Sequence, residues 1–226
     1  KQLEEFCRQS RIPPVDKKPT PFNYYIRPEP DQLIRTCVGY GFRRARLKYA
    51  YLILRGKDLE TEEFSDELLV KQFKVLEDAQ KKVLDLQNWS EFLKAILSGG
   101  FVSDQMISSQ NGLMYSYVFY LIGKYDFHVE HKLLRKLIAR WFFMSSLTSR
   151  YSGSFESVME QDLNRLRDIN TENEFVDLLN HLIDDTLTED YWNITLPNQL
   201  DTSFARPPAL MAYYAAMVLL KAPVLF

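Results

Sequence analysis

The chain has 226 residues, 46% apolar and 14% aromatic, which is enough for a sizeable core and argues against disorder. Its 28 basic and 30 acidic side chains leave a formal charge of −2, so bulk charge points to no nucleic-acid partner and only a local patch would supply one. The two cysteines, Cys7 and Cys37, lack metal or disulfide-framework spacing and fit a reduced, cytoplasmic setting, and the longest apolar run, 208–220, is shorter than the roughly 20 residues a membrane span needs.

Residues 1–11 read as a short helix with Leu3, Phe6 and Cys7 on one side. Pro13, Pro14, Pro19, Pro21, Pro28 and Pro30 make the next stretch extended, with Phe22, Tyr24, Tyr25 and Ile26 packed as a strap. Asp31 opens a helix over 31–54 whose apolar stripe includes Leu33, Cys37, Ala45, Tyr49 and Leu52. Gly39 and Gly41 interrupt it, each at a cost of about 1 kcal/mol relative to Ala, and predict a kink or a close neighbour. Gly56 closes the segment.

Ser65, followed by Asp66 and Glu67, caps a helix over 66–86 with a seam of Leu69, Phe73, Leu76 and Val83. Residues 88–91 match a capping box for a helix that buries Trp89, Phe92, Leu93, Ile96 and Leu97 and stops at Gly99 and Gly100. A helix over 111–123 turns Leu113, Met114, Tyr117, Val118, Leu121 and Ile122 inward. The next stretch, 132–154, is the one around which the others are expected to pack. Leu134, Leu137, Ile138, Trp141 and Met144 or Ser145 form its apolar stripe, and Lys132, Lys136 and Arg140 form a basic one.

Ser154 caps a helix over 154–169. Thr171 and Glu174 form a second capping box, for a helix burying Phe175, Leu178, Leu179, Leu182 and Ile183. Residues 188–205 read as irregular, anchored by Tyr191, Trp192 and Ile194. Pro207 and Pro208 open a last helix, apolar nearly all round and therefore expected at the centre. The fold class is all-α: an irregular bundle of about eight to nine helices around that C-terminal helix. Residues 1–226 form a single helical domain, with a Pro-rich strap and short helix over 1–30 and a helical core over 31–226. The start at Lys1 and the apolar end at Phe226 read as a piece excised from a longer protein.

No catalytic residue is assigned. A phosphate loop, a metalloprotease motif, paired Cys-x-x-Cys units and a Gly-x-Ser-x-Gly elbow are all missing from the sequence. His128, Glu130 and His131 are the densest group of metal-ligand types, but they lack a third or fourth ligand, and a solvated helix start accounts for them. No metal site and no cofactor are assigned. Arg43, Arg44 and Lys48, beside Phe42, Tyr49 and Tyr51, are the candidate nucleic-acid contacts. The alternative, which the pattern favours, is the solvated face of an amphipathic helix. The acids Glu156, Glu160, Asp162, Asp184 and Asp185 are expected to relieve the basic stripe of Lys132, Lys136 and Arg140. Asp162 falls among Val158, Met159 and Leu166 on an apolar face and needs a partner, which Arg150 or Tyr151 can supply. Trp141, Arg150, Tyr151 and Asp162 are therefore read as a structural motif. Asn193 and Thr195 match a glycosylation acceptor that nothing else in the sequence supports.

The run 140–154, with Trp141 before paired aromatics and a Ser-rich turn holding Tyr151, is followed by Asp162 and Leu163. Together with the apolar run 208–222, it resembles a segment of bacterial proteins in the domain of unknown function 262 family. These are relatives of the GmrS half of GmrSD-type modification-dependent restriction systems. The resemblance covers the second half of the chain well and the first half loosely. It implies a neighbouring ParB-like nucleotide-binding domain carrying an Asp-Gly-Gln-Gln-Arg motif and, in some members, an HNH nuclease domain. This chain has neither motif, so no catalytic residue is carried over. The implied role is that of a non-catalytic helical domain in a phage-defence protein, positioning those neighbours and in contact with DNA. The rival expectation is a protein-interaction module unrelated to nucleic acid, and a weaker one is a metal-dependent hydrolase built on His128 and His131.

Overall fold

The computed structural model describes residues 1–10, 27–201 and 208–222. Across them the chain forms α1 (Gln2–Ser10), α2 (Pro30–Phe42), α3 (Leu47–Leu54), α4 (Asp66–Val83), α5 (Leu86–Ser98), α6 (Gln110–Tyr125), α7 (His131–Leu147), α8 (Phe155–Asn164), α9 (Glu172–Thr186), α10 (Leu196–Leu200) and α11 (Pro208–Leu219). A 3-10 turn at Asp104–Met106 precedes α6, and a π-helical turn at Tyr191–Thr195 precedes α10. No strand forms among the described residues. An isolated antiparallel bridge joins Lys57 and Phe64. The predicted strap of Phe22, Tyr24, Tyr25 and Ile26 lies outside the described residues.

Local chemistry accounts for several helix starts. The Ser65 hydroxyl accepts from the Leu68 N–H at the head of α4. Thr171 and Glu174 make a reciprocal capping box on α9, which satisfies two of the N–H groups a helix start leaves unpaired. Other starts differ from the sequence reading. α5 begins at Leu86, where Asp85 accepts the Gln87 N–H at 2.7 Å. Asn88 is a buried residue inside that helix. Its amide donates to the Lys82 carbonyl at 2.8 Å and its oxygen accepts from Lys124 at 2.6 Å. An asparagine with a partner on α6 has no need to cap its own helix. Ser154 makes no side-chain cap on α8, which ends at Asn164 rather than continuing to 169.

The single helix predicted over 31–54 is two helices. Arg43 takes a left-handed conformation at φ 54° and ends α2. The Ala45 N–H, which an unbroken helix would bond to the carbonyl four residues earlier, donates instead to the Glu160 carboxylate at 2.6 Å. A side chain of α8 thus caps a break more than a hundred residues away.

The enclosed helix is α6, not α11. Every residue from Gly112 to Gly123 is buried, because α2 packs on one side of it and α7 on the other. Gly39 and Gly41 let the neighbours of α2 approach. A Cβ on Gly39 would sit 3.2 Å from Val118, and one on Gly41 3.1 Å from the Ala79 methyl. On α4, Gln72, Leu76, Ala79 and Val83 face the core, while Phe73 of the predicted seam is exposed. α7 packs against α5, α6, α9 and α11. α11 lies over Gly100 and buries Ala209, Met211, Ala212 and Ala215, but it leaves Tyr213, Tyr214, Leu219 and Leu220 exposed. No helix of the described residues is long and apolar enough to cross a membrane.

Candidate functional site

The turn after α7 is spent on its own backbone and on α8. Its hydroxyls bond locally: Ser145 to the Phe142 carbonyl, Thr148 to Met144 and Ser152 to Ser149. Ser149 takes a left-handed conformation at φ 54°. This returns the chain toward α7, so that Arg150 and Tyr151 meet α8. The Asp162 carboxylate accepts Arg150 Nε at 2.9 Å, Arg150 Nη2 at 2.6 Å and the Tyr151 hydroxyl at 2.9 Å. The Arg150 guanidinium also lies 5.7 Å from the ring centre of Trp141, which is fully buried. The structure therefore brings together all four residues of the predicted motif.

Electrostatics favour the protonated forms of Arg150 and Tyr151. Burial works against the Arg150 charge, but the hydrogen bonds and charge of Asp162 outweigh it and raise the Arg150 pKa. Burial, reinforced by the Asp162 charge, pushes the Tyr151 phenol well above its usual value, so its hydroxyl donates throughout the physiological range.

The basic corner is arranged differently from the sequence reading. Arg43 pairs with Asp126 at the end of α6. Arg44 pairs with the buried Glu160 at 3.0 Å and with Glu60 at 3.1 Å. Lys48 is exposed, with its ammonium 5.0 Å from the Tyr49 ring centre. The three lie on either side of the α2–α3 break instead of on one helical face. Glu156 is engaged as well, by Arg35 at 2.7 Å. Glu156 and Glu160 of α8 thus brace the first half of the fold while Asp162 holds Arg150, and of the acids expected to relieve the basic stripe on α7 only Asp184 does so among the described residues, pairing with Arg140 at 3.3 Å.

His128 and His131 do not share a helix. His128 is exposed in the loop at φ 51°, and His131 begins α7 and pairs with Glu91 at 2.7 Å. No group of three or more metal-ligating side chains converges among the described residues. Glu91 gathers three nitrogen-bearing side chains: Lys94 at 2.6 Å, His131 at 2.7 Å and Arg135 at 3.2 Å. The Lys94 hydrogen bond leads and the other two add to it. Together they overcome the burial of Glu91 and hold its carboxyl at about 2.

On the outer face of α7 an open groove of 790 Å³ runs between α9 and α11. Ala139, Phe143 and Leu187 line its apolar floor, Trp192 and Leu219 its walls, and Lys132 and Lys136 its rim. Sequence reasoning placed these residues on different helices and, for Trp192, in an irregular segment, and did not bring them together. The available signals were the uninterrupted apolar run of α11 and the basic stripe on α7.

No protein-family model matches the chain, and no curated protein or solved structure matches it either.

Proposed function

We propose that this chain is a non-catalytic helical scaffold of a restriction-like, phage-defence protein, where it positions a nucleotide-binding domain. The observation that carries this reading is the fate of the polar residues in the run 140–163. Arg150, Tyr151 and Asp162 bond to one another in the interior, and the hydroxyls of Ser145, Thr148 and Ser152 bond to nearby carbonyls. A motif whose polar groups are consumed internally sets the angle between helices and performs no chemistry. Two of the three candidate DNA contacts, Arg43 and Arg44, are already neutralised by acids, so DNA contact through this corner rests on Lys48.

The test is the coding sequence upstream of the Lys1 codon, together with nucleotide hydrolysis by the 226-residue chain. An upstream Asp-Gly-Gln-Gln-Arg motif, with no turnover by the chain itself, is the expected result. Metal-dependent turnover abolished by His131→Ala would replace this reading with the hydrolase one. Weak DNA binding that falls steeply with salt and is lost in Lys48→Ala would add DNA contact to the scaffold role. The second reading, an interaction module unrelated to nucleic acid, draws on the groove over α7. It would stand if no such upstream motif exists.

A further inference from the structure

The groove over α7 combines exposed apolar walls with two lysines that make no ion pair among the described residues. Leu219 is 52% exposed, Leu220 76% and Trp192 42%, all facing the same depression. Ala139 and Phe143 of α7 lie on its floor, and Lys132 and Lys136 of the same helix form its rim. Lys132 and Lys136 are exposed, one turn apart, and make no ion pair among the described residues, whereas Arg135 and Arg140 are taken by Glu91 and Asp184. Like charges at this spacing repel mildly, and the acids of α8 that would relieve them are committed elsewhere.

We infer that this groove docks an acidic amphipathic helix of a partner protein, with its apolar stripe on Phe143, Leu187 and Leu219 and its carboxylates on Lys132 and Lys136. Length, shape and charge each support this occupant. From Lys132 to Phe143 the groove runs about 16 Å along α7, the length of about three helical turns. The floor lies between walls from the π-helical turn at Trp192 and from α11 at Leu219, which suits a helix and not a flat bilayer. Its apolar walls gain from burial only against an apolar partner, and a phosphate backbone offers none. Glu130 caps the start of α7 and its charge reaches Lys132, so the charge left for an acidic partner is greatest at Lys136, one turn further along. The inference is independent of the scaffold reading, since it rests only on this surface.

The experiment is fluorescence anisotropy of the whole 226-residue chain with a labelled helical peptide about 14 residues long, Leu at i, i+3, i+4 and i+7 and Glu at most other positions. A second peptide replaces every Glu with Lys. The Glu peptide should bind, and binding should weaken as salt rises. The paired variant Lys132→Glu/Lys136→Glu should weaken the Glu peptide by about tenfold or more and admit the Lys peptide in its place. Leu219→Asp should weaken both. These positions are exposed, so the variants should retain the wild-type melting temperature, which circular dichroism checks. Equal binding of the two peptides, or indifference of the Glu peptide to charge reversal, would overturn the inference. So would no binding of the Glu peptide, binding only to phosphatidylserine vesicles, or binding only after residues 223–226 are removed, which would assign the groove to the chain's own end.

Discussion

Asp162 accepts two hydrogen bonds from one guanidinium, that of Arg150, in a position where the carboxylate side chain is 1% exposed. Tyr151 fills a third acceptor position. Such a pair contributes little over a well-packed apolar replacement, but removing one member leaves a charge buried without its counterion. Asp162→Ala should therefore destabilise the fold by about 3–5 kcal/mol in a denaturant melt. The double variant Asp162→Leu/Arg150→Met should cost clearly less than the sum of its single changes. Additive costs would show that the two side chains act separately.

Trp141 separates packing from polar contact. Its indole is fully buried, stacks obliquely on Phe119 with ring centres 4.8 Å apart, and leaves its N–H without a hydrogen-bond partner. Trp141→Ala should cost about 3–5 kcal/mol through the cavity it opens. Trp141→Phe loses volume but no hydrogen bond, so it should cost less than half as much. Equal costs in chemical denaturation would mean that the N–H is engaged after all.

Glu91 makes the fold sensitive to acid. Its folded pKa of about 2 lies below the ordinary value of 4.5, so the folded state favours the charged form. The stabilisation is complete above pH 4.5 and is lost as pH falls toward 2. Glu91→Gln should cost about 1–2 kcal/mol at pH 7, a modest figure because Lys94 and His131 are half exposed and screened. The difference in melting temperature between variant and wild type should narrow across that acid window. A constant difference would remove Glu91 from the pH response.

Gly100 holds α11 in place. Its φ of +87° is one that side chains rarely adopt, and a Cβ there would lie 2.1 Å from the Ala215 carbonyl oxygen. Gly100→Ala should destabilise by about 2 kcal/mol or more, since backbone strain and a backbone clash act together. The loss should be concentrated in α11. Amide exchange across Pro208–Leu219 should accelerate more than exchange across Gln110–Tyr125. Uniform acceleration would place α11 in the main cooperative unit.

Some of the clasp was legible in the sequence. Asp162 stood on an apolar stripe between Met159 and Leu166, and a carboxylate there demands a nearby cation or hydroxyl. Arg150 and Tyr151 were close enough in sequence to be named. Glu160 is buried as well, but the sequence placed it off that stripe, and its partners Arg44 and Ala45 lie across the fold where no local rule points to them. The break after Phe42 was hidden for the same reason. The stripe of Ala45, Tyr49 and Leu52 reads as a continuation of α2, and the group that receives the freed N–H belongs to α8.

By itself the sequence determined what depends on near neighbours. The 3.6-residue apolar period sets the all-α class and the buried stripe of α7, and hydroxyl and carboxylate spacing sets the starts of α4 and α9. Only the tertiary structure decided which helix is enclosed and which charges are free. α6 and α11 are both apolar nearly all round, and periodicity cannot rank them. α6 is covered by α2 and α7, whereas α11 rests on Gly100 with its far side open. Arg43, Arg44, Lys132 and Lys136 look alike as basic residues in the chain. The first two pair with acids from α6 and α8 and the last two make no ion pair among the described residues, because an ion pair forms wherever folding places opposite charges together, here up to 116 positions apart.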